Sequence, residues 1–124
     1  MSKLFLFLPL FLFAEFINIP YTFFSEKDEI KVFNIYYRNF DYFFRLRWTL
    51  YKNSFIVVLY NFNGFSRQVM LSKEYPLNSF RVNIALFEPF SPYLYVKFAG
   101  FNDKIATFKI FLFNSKSVKI EEIK

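Results

Sequence analysis

From residue 16 onward the apolar positions come in short runs, without the i, i+3, i+4 recurrence of an amphipathic helix. The runs fall at 30–37, 43–51, 55–60, 67–71, 80–87, 93–98, 105–113 and 118–120. Turn-forming residues separate them at spacings of about ten residues, among them Asn39 and Asp41, Asn63-Gly64, Pro89 and Pro92, and Asn102-Asp103. Segment 16–24 (FINIPYTFF) reads as a first edge strand interrupted by Pro20, which has no N–H to give to a ladder. This pattern predicts an all-β fold: one antiparallel β-sandwich, immunoglobulin-like or jelly-roll-like, of about seven or eight short strands. No internal repeat or low-complexity linker divides the chain, so residues 15–124 read as one domain. The charged end, Lys119-Ile-Glu-Glu-Ile-Lys124, reads as a frayed tail from about residue 117.

The centre allows a register to be written. Asn63-Gly64 is a strong hairpin signal, because a type I′ turn needs φ > 0 at both central positions. It pairs Phe62 with Phe65, Tyr60 with Arg67, Val58 with Val69 and Ile56 with Leu71. A second turn at Lys52-Asn53 sets Trp48 opposite Val57, Leu46 opposite Leu59 and Arg45 opposite Tyr60. Moving that turn to Asn53-Ser54 keeps every residue on the same face. The expected core face is then Phe44, Leu46, Trp48, Leu50, Phe55, Val57, Leu59 and Met70. The expected outer face carries Arg45, Arg47, Thr49, Ile56, Val58, Tyr60, Arg67, Val69 and Leu71.

The first fourteen residues differ from the rest. Lys3 precedes an apolar run from Leu4 to Phe13, and Ala14 stands before Glu15. A basic start, a short apolar stretch and a small residue at the cut make residues 1–14 a secretory signal peptide. The run is too short to span a bilayer, which takes roughly 20 apolar residues. Cleavage would leave a periplasmic or secreted protein with no transmembrane helix. At position −3 from the cut stands Leu12, larger than the usual Ala.

Composition then narrows the chemistry. Of 124 residues, 22 are Phe and 9 are Tyr; after residue 14 the large apolar residues are about twice as many as the inward positions of two sheets, a surplus that points to a patch meeting a partner. A genome rich in A and T is an alternative source of the Phe count. No Cys and no His are present, which removes the Ser-His-Asp and Cys-His systems and the usual zinc sites. With only 2 Gly there is no phosphate-cradling loop. No strand presents two carboxylates inward for glycoside hydrolysis. The chain therefore reads as a non-enzymatic module without metal or cofactor.

The net charge of +6 is spread singly along the chain. It suits an anionic polysaccharide or membrane surface, and export argues against nucleic acid. The candidate binding residues are Arg45, Arg47, Tyr60 and Arg67: the register sets Arg45, Tyr60 and Arg67 side by side on the outer face, with Arg47 one step along. Two guanidinium groups flanking a phenol suit a carboxylate or phosphate through planar bidentate hydrogen bonds. The plainer alternative is ordinary cross-strand Arg–Tyr packing. Tyr93 and Tyr95 form a second candidate, an aromatic platform with Tyr36 or Tyr37, while Trp48 belongs with the core. The expected partner is another periplasmic or surface protein, or a second copy of the chain. The alternative ligand is an anionic glycan or lipid headgroup held by Arg and Tyr.

Overall fold

The computed structural model describes residues 14–85, 91–114 and 117–124, and these hold ten strands and no helix. The strands are β1 (Ala14–Phe16), β2 (Tyr21–Glu26), β3 (Lys31–Tyr37), β4 (Phe40–Lys52), β5 (Phe55–Phe62), β6 (Phe65–Ser72), β7 (Ser79–Asn83), β8 (Tyr93–Asn102), β9 (Ile105–Phe113) and β10 (Val118–Ile123). They form a six-stranded sheet, β1-β10-β3-β4-β5-β6, and a four-stranded sheet, β2-β9-β8-β7. All the pairings are antiparallel.

Local chemistry explains the two meanders, β3 to β6 and β7 to β9. The hairpins at Asn53-Ser54, Asn63-Gly64 and Asp103-Lys104 have positive φ at both central residues. That conformation matches the right-handed twist of the flanking strands. The expected first strand is two short ones: the chain leaves the large sheet after Phe16 and joins the small one at Tyr21, with Pro20 at the changeover. The resulting order differs from the ABED and CFG sheets of an immunoglobulin domain.

The core lies between the sheets. Phe33, Phe44, Leu46, Trp48, Ile56 and Val58 of the large sheet face Phe23, Val96, Phe98, Phe108 and Ile110 of the small one, all buried. Phe23 bridges the layers, 5.4 Å from Phe108 and 5.5 Å from Phe33 between ring centroids. Trp48 is in the core as expected, and its indole N–H donates to the Ser25 carbonyl at 2.8 Å. Burying an apolar side chain of this size contributes about 1.5–3 kcal/mol, so packing carries the fold without disulfides.

Two expectations are corrected. The end of the chain is not a frayed tail: β10 is an internal strand between β1 and β3, with Ile120 and Glu122 buried. The outward and inward faces of β5 and β6 are also exchanged. The hairpin turns at Asn53-Ser54 and pairs Leu50 with Val57, but an extra residue, Thr49, bulges out of β4. Beyond it Trp48 pairs with Val58 and Leu46 with Tyr60. One inserted residue flips parity. Ile56, Val58 and Leu71 therefore join Leu46 and Trp48 in the core, whereas Leu50, Phe55 and Met70 are exposed. The signal segment, residues 1–13, lies outside the described residues; Ala14 and Glu15 belong to β1.

Candidate binding face

The Thr49 bulge builds an apolar and basic surface on the outside of β4, β5 and β6. Cross-strand pairing sets Arg45, Asn61 and Ser66 in one row and Arg47, Leu59 and Gln68 in the next. On the far side of the bulge, Leu50, Val57 and Met70 form an apolar row, with Phe55 beyond it. Leu50 is 49% exposed, Phe55 39% and Met70 59%, too much for core positions and contiguous across three strands. The two rows carrying arginine line an open depression of about 510 Å³, with Ile30 at its border.

The arginines are held differently. Arg47 Nη1 lies 3.1 Å from Asp28 Oδ1, and the Asp28 backbone N–H donates to the Trp48 carbonyl at 2.8 Å. The loop after β2 is thus tied to β4. Both partners are exposed, so the ion pair itself contributes no more than about 1 kcal/mol. Arg45 lies over the Phe43 ring, 5.0 Å from its centroid.

Tyr60 and Arg67 are paired as expected and also border the depression. By strand parity they nevertheless fall with Val58, Val69 and Leu71, Tyr60 half-buried and Arg67 exposed. Tyr60 stacks on Phe80 of the other sheet at 4.6 Å and 16°. Burial lifts its hydroxyl pKa above the ordinary value, and the Arg67 charge opposes that. Arg45 pairs with Asn61, not with Tyr60. The expected row of Arg45, Tyr60 and Arg67, with Arg47 one step along, is therefore divided: Arg45 and Arg47 share the outer parity, Tyr60 and Arg67 the other.

Tyr93 and Tyr95 point outward on the small sheet, while Leu94, Val96 and Phe98 are buried. Tyr36 and Tyr37 do not join them, since both are in β3 of the other sheet. Tyr37 is buried, and the Tyr36 hydroxyl donates to Glu121 Oε1 at 2.8 Å. That bond raises the Tyr36 pKa by favouring the protonated phenol.

Two features escape a linear reading. One is the apolar row Leu50–Val57–Met70. The signal for it is Asn61: it is the one polar residue of β5, and its parity marks the face shared with Phe55, Val57 and Leu59 as the outer one. The other is Glu122, 3% exposed on β10, which accepts a hydrogen bond from the Tyr21 hydroxyl. A charged tail gives no hint of a buried carboxylate. Among the described residues no group of three or more His, Cys, Asp or Glu is placed to hold a metal ion, and no helix is long and apolar enough to cross a membrane. Compared with protein families, curated proteins and solved structures, the chain matches none.

Proposed function

We propose that this protein is an exported, non-enzymatic binding module that docks another protein on the outer face of β4, β5 and β6. The observation that carries the reading is the apolar row Leu50–Val57–Met70, exposed at Leu50 and Met70 and half-buried at Val57, beside Arg45 and Arg47. Apolar side chains contiguous across three strands and rimmed by polar residues are what an interaction site presents. Arginine at such a rim adds planar hydrogen bonding to partner carboxylates. Export is supported by Lys3, the apolar run from Leu4 to Phe13 and the small Ala14 before Glu15. The non-enzymatic reading is supported by the absence of His and Cys from the sequence.

The test is photo-crosslinking in the native host. A photoreactive residue at Met70 is expected to give a discrete adduct that is lost when Val57→Asp is added, whereas one at Asn39, in the exposed β3–β4 turn at the other end of β4 from Leu50, gives none. Equal adducts from both positions, or none from Met70, would count against the docking face. The mass of the protein in the periplasmic fraction tests export separately, with a start at Glu15 expected and a full-length cytoplasmic chain opposing it.

A second copy of the chain is the other partner the geometry favours. β6 is an edge strand paired regularly over eight residues, with Arg67 its one charge. Edges this long and unguarded are templates for pairing.

A further inference from the structure

We propose that the outer face of the four-stranded sheet is a second binding site, for an acidic polysaccharide: a polymer of sugar rings that carry carboxylates. The register sets three rows across this face. Tyr93 lies between Asn83 and Phe113, Tyr95 between Arg81 and Phe111, and Lys97 between Ser79 and Lys109. These rows hold four aromatic rings and three cations, and no carboxylate.

The rings are organised. Tyr93 stacks on Phe113 at 5.3 Å and 23°, and Tyr95 meets Phe113 nearly edge-on at 6.0 Å and 89°. The Tyr95 and Ser79 hydroxyls lie 2.5 Å apart, which holds the tyrosine toward β7. Arg81 lies 3.7 Å over the Tyr93 ring, and its Nε donates to Asn83 Oδ1 at 2.8 Å. The guanidinium is thus fixed by stacking and by one hydrogen bond, and the site assigns its two Nη groups to a ligand carboxylate in a planar bidentate pair.

The lysines supply an independent observation. Lys97 and Lys109 stand directly opposite each other on β8 and β9. Like charges in that position destabilise a sheet. The neighbouring outward positions on these strands and on β2 are Tyr95, Phe111, Thr107, Thr22 and Phe24, none of which carries a negative charge. A pair with no acidic residue at the neighbouring outward positions, among the described residues, is accounted for by a ligand that brings the anions. Ring faces beside these cations suit a ligand whose rings present C–H faces and whose carboxylates recur along a chain.

An acidic peptide fits less well. β8 and β9, which carry all of these rings and both lysines, are internal strands with neighbours on both sides, so a peptide finds backbone to pair with only at the sheet edges and not over the rings. Single-stranded nucleic acid shares the aromatic and basic chemistry. Setting it aside rests on the export proposed above, and the experiment therefore includes it.

The test is affinity electrophoresis of the purified full chain through gels containing polygalacturonate, neutral dextran, polyglutamate or a thymidine oligonucleotide. Polygalacturonate is expected to retard the protein, less so as salt rises, and the other three to leave it unmoved. Arg81→Ala and Phe113→Ala should each weaken binding about tenfold, and Lys119→Ala, on β10 of the other sheet, should not change it. Lys109→Gln separates binding from folding, because it removes the like-charge pair: melting temperature is expected to hold or rise while affinity falls. No retardation by polygalacturonate, equal retardation by polyglutamate or the oligonucleotide, or full affinity in Arg81→Ala and Lys109→Gln would overturn the site. Binding is read on purified protein, so export and the site fail independently.

Discussion

Tyr60 shows how a single residue reports the placement of a face. Its ring is packed between the sheets against Phe80, and burial holds its hydroxyl above the ordinary pKa of 10.0, with Arg67 pulling the other way. Because the folded pKa is the higher one, the folded state keeps the proton longer. This contribution to stability is intact below pH about 10 and is lost as pH rises through the folded pKa. Absorbance titration should find Tyr60 ionising later than a free tyrosine, and Arg67→Ala should move it later still. An earlier ionisation in that variant would contradict the pairing. Some of the chemistry at this scale is legible in the sequence and some is not. Trp48 shares parity with Leu46 and is correctly read as core. Glu122 is not readable, because what buries it is the position of β10 beside β3 and the Tyr21 hydroxyl brought from β2.

Among the elements, the Thr49 bulge decides which surface faces outward. The turn at Asn63-Gly64 is written in the sequence, and all four pairs read from it are present. The turn at Asn53-Ser54 was also within reach. The bulge was not, because residues 55–60 (FIVVLY) are apolar on both faces, and only Asn61, near the far end of β5, marks the outer parity. Its effect extends to the end of the sandwich. Tyr51 turns inward and stacks on Phe101 at 3.9 Å and 7°, while a matching irregularity between Phe98 and Gly100 turns Phe101 toward it. Deleting Thr49 forces either Leu46 and Trp48 or Tyr51 out of register with β5. The expected loss is more than about 4 kcal/mol, the range of disrupted cores, measured by urea unfolding. A loss under about 1 kcal/mol would show that the strand absorbs the slip.

For the molecule as a whole, unequal sheets leave edges of unequal risk. β1 has three residues, and β7 has five and carries Arg81. β2 begins beside Pro20, while β6 presents its whole length. If a second copy docks there, sedimentation should show a concentration-dependent dimer that Met70→Lys reduces to monomer, since a charge on an edge blocks pairing. A dimer unaffected by that change would place the contact elsewhere. The sandwich class was legible because alternation and turns are local. The sheet order was not, because the pairings of β1 with β10 and of β2 with β9 join residues from about 80 to about 110 positions apart and depend on mutual packing.

The surface proposed to dock a partner exists only if the outer positions of β5 and β6 are those of Leu59 and Met70. The chain has no Cys, so single thiols can be placed without background. Thiol labelling of the folded protein is expected to be fast at Leu59→Cys and Met70→Cys, and to wait for unfolding at Val58→Cys and Leu71→Cys. Fast labelling at Val58→Cys and Leu71→Cys, with protection at Leu59→Cys and Met70→Cys, would contradict the bulge and remove the binding face with it.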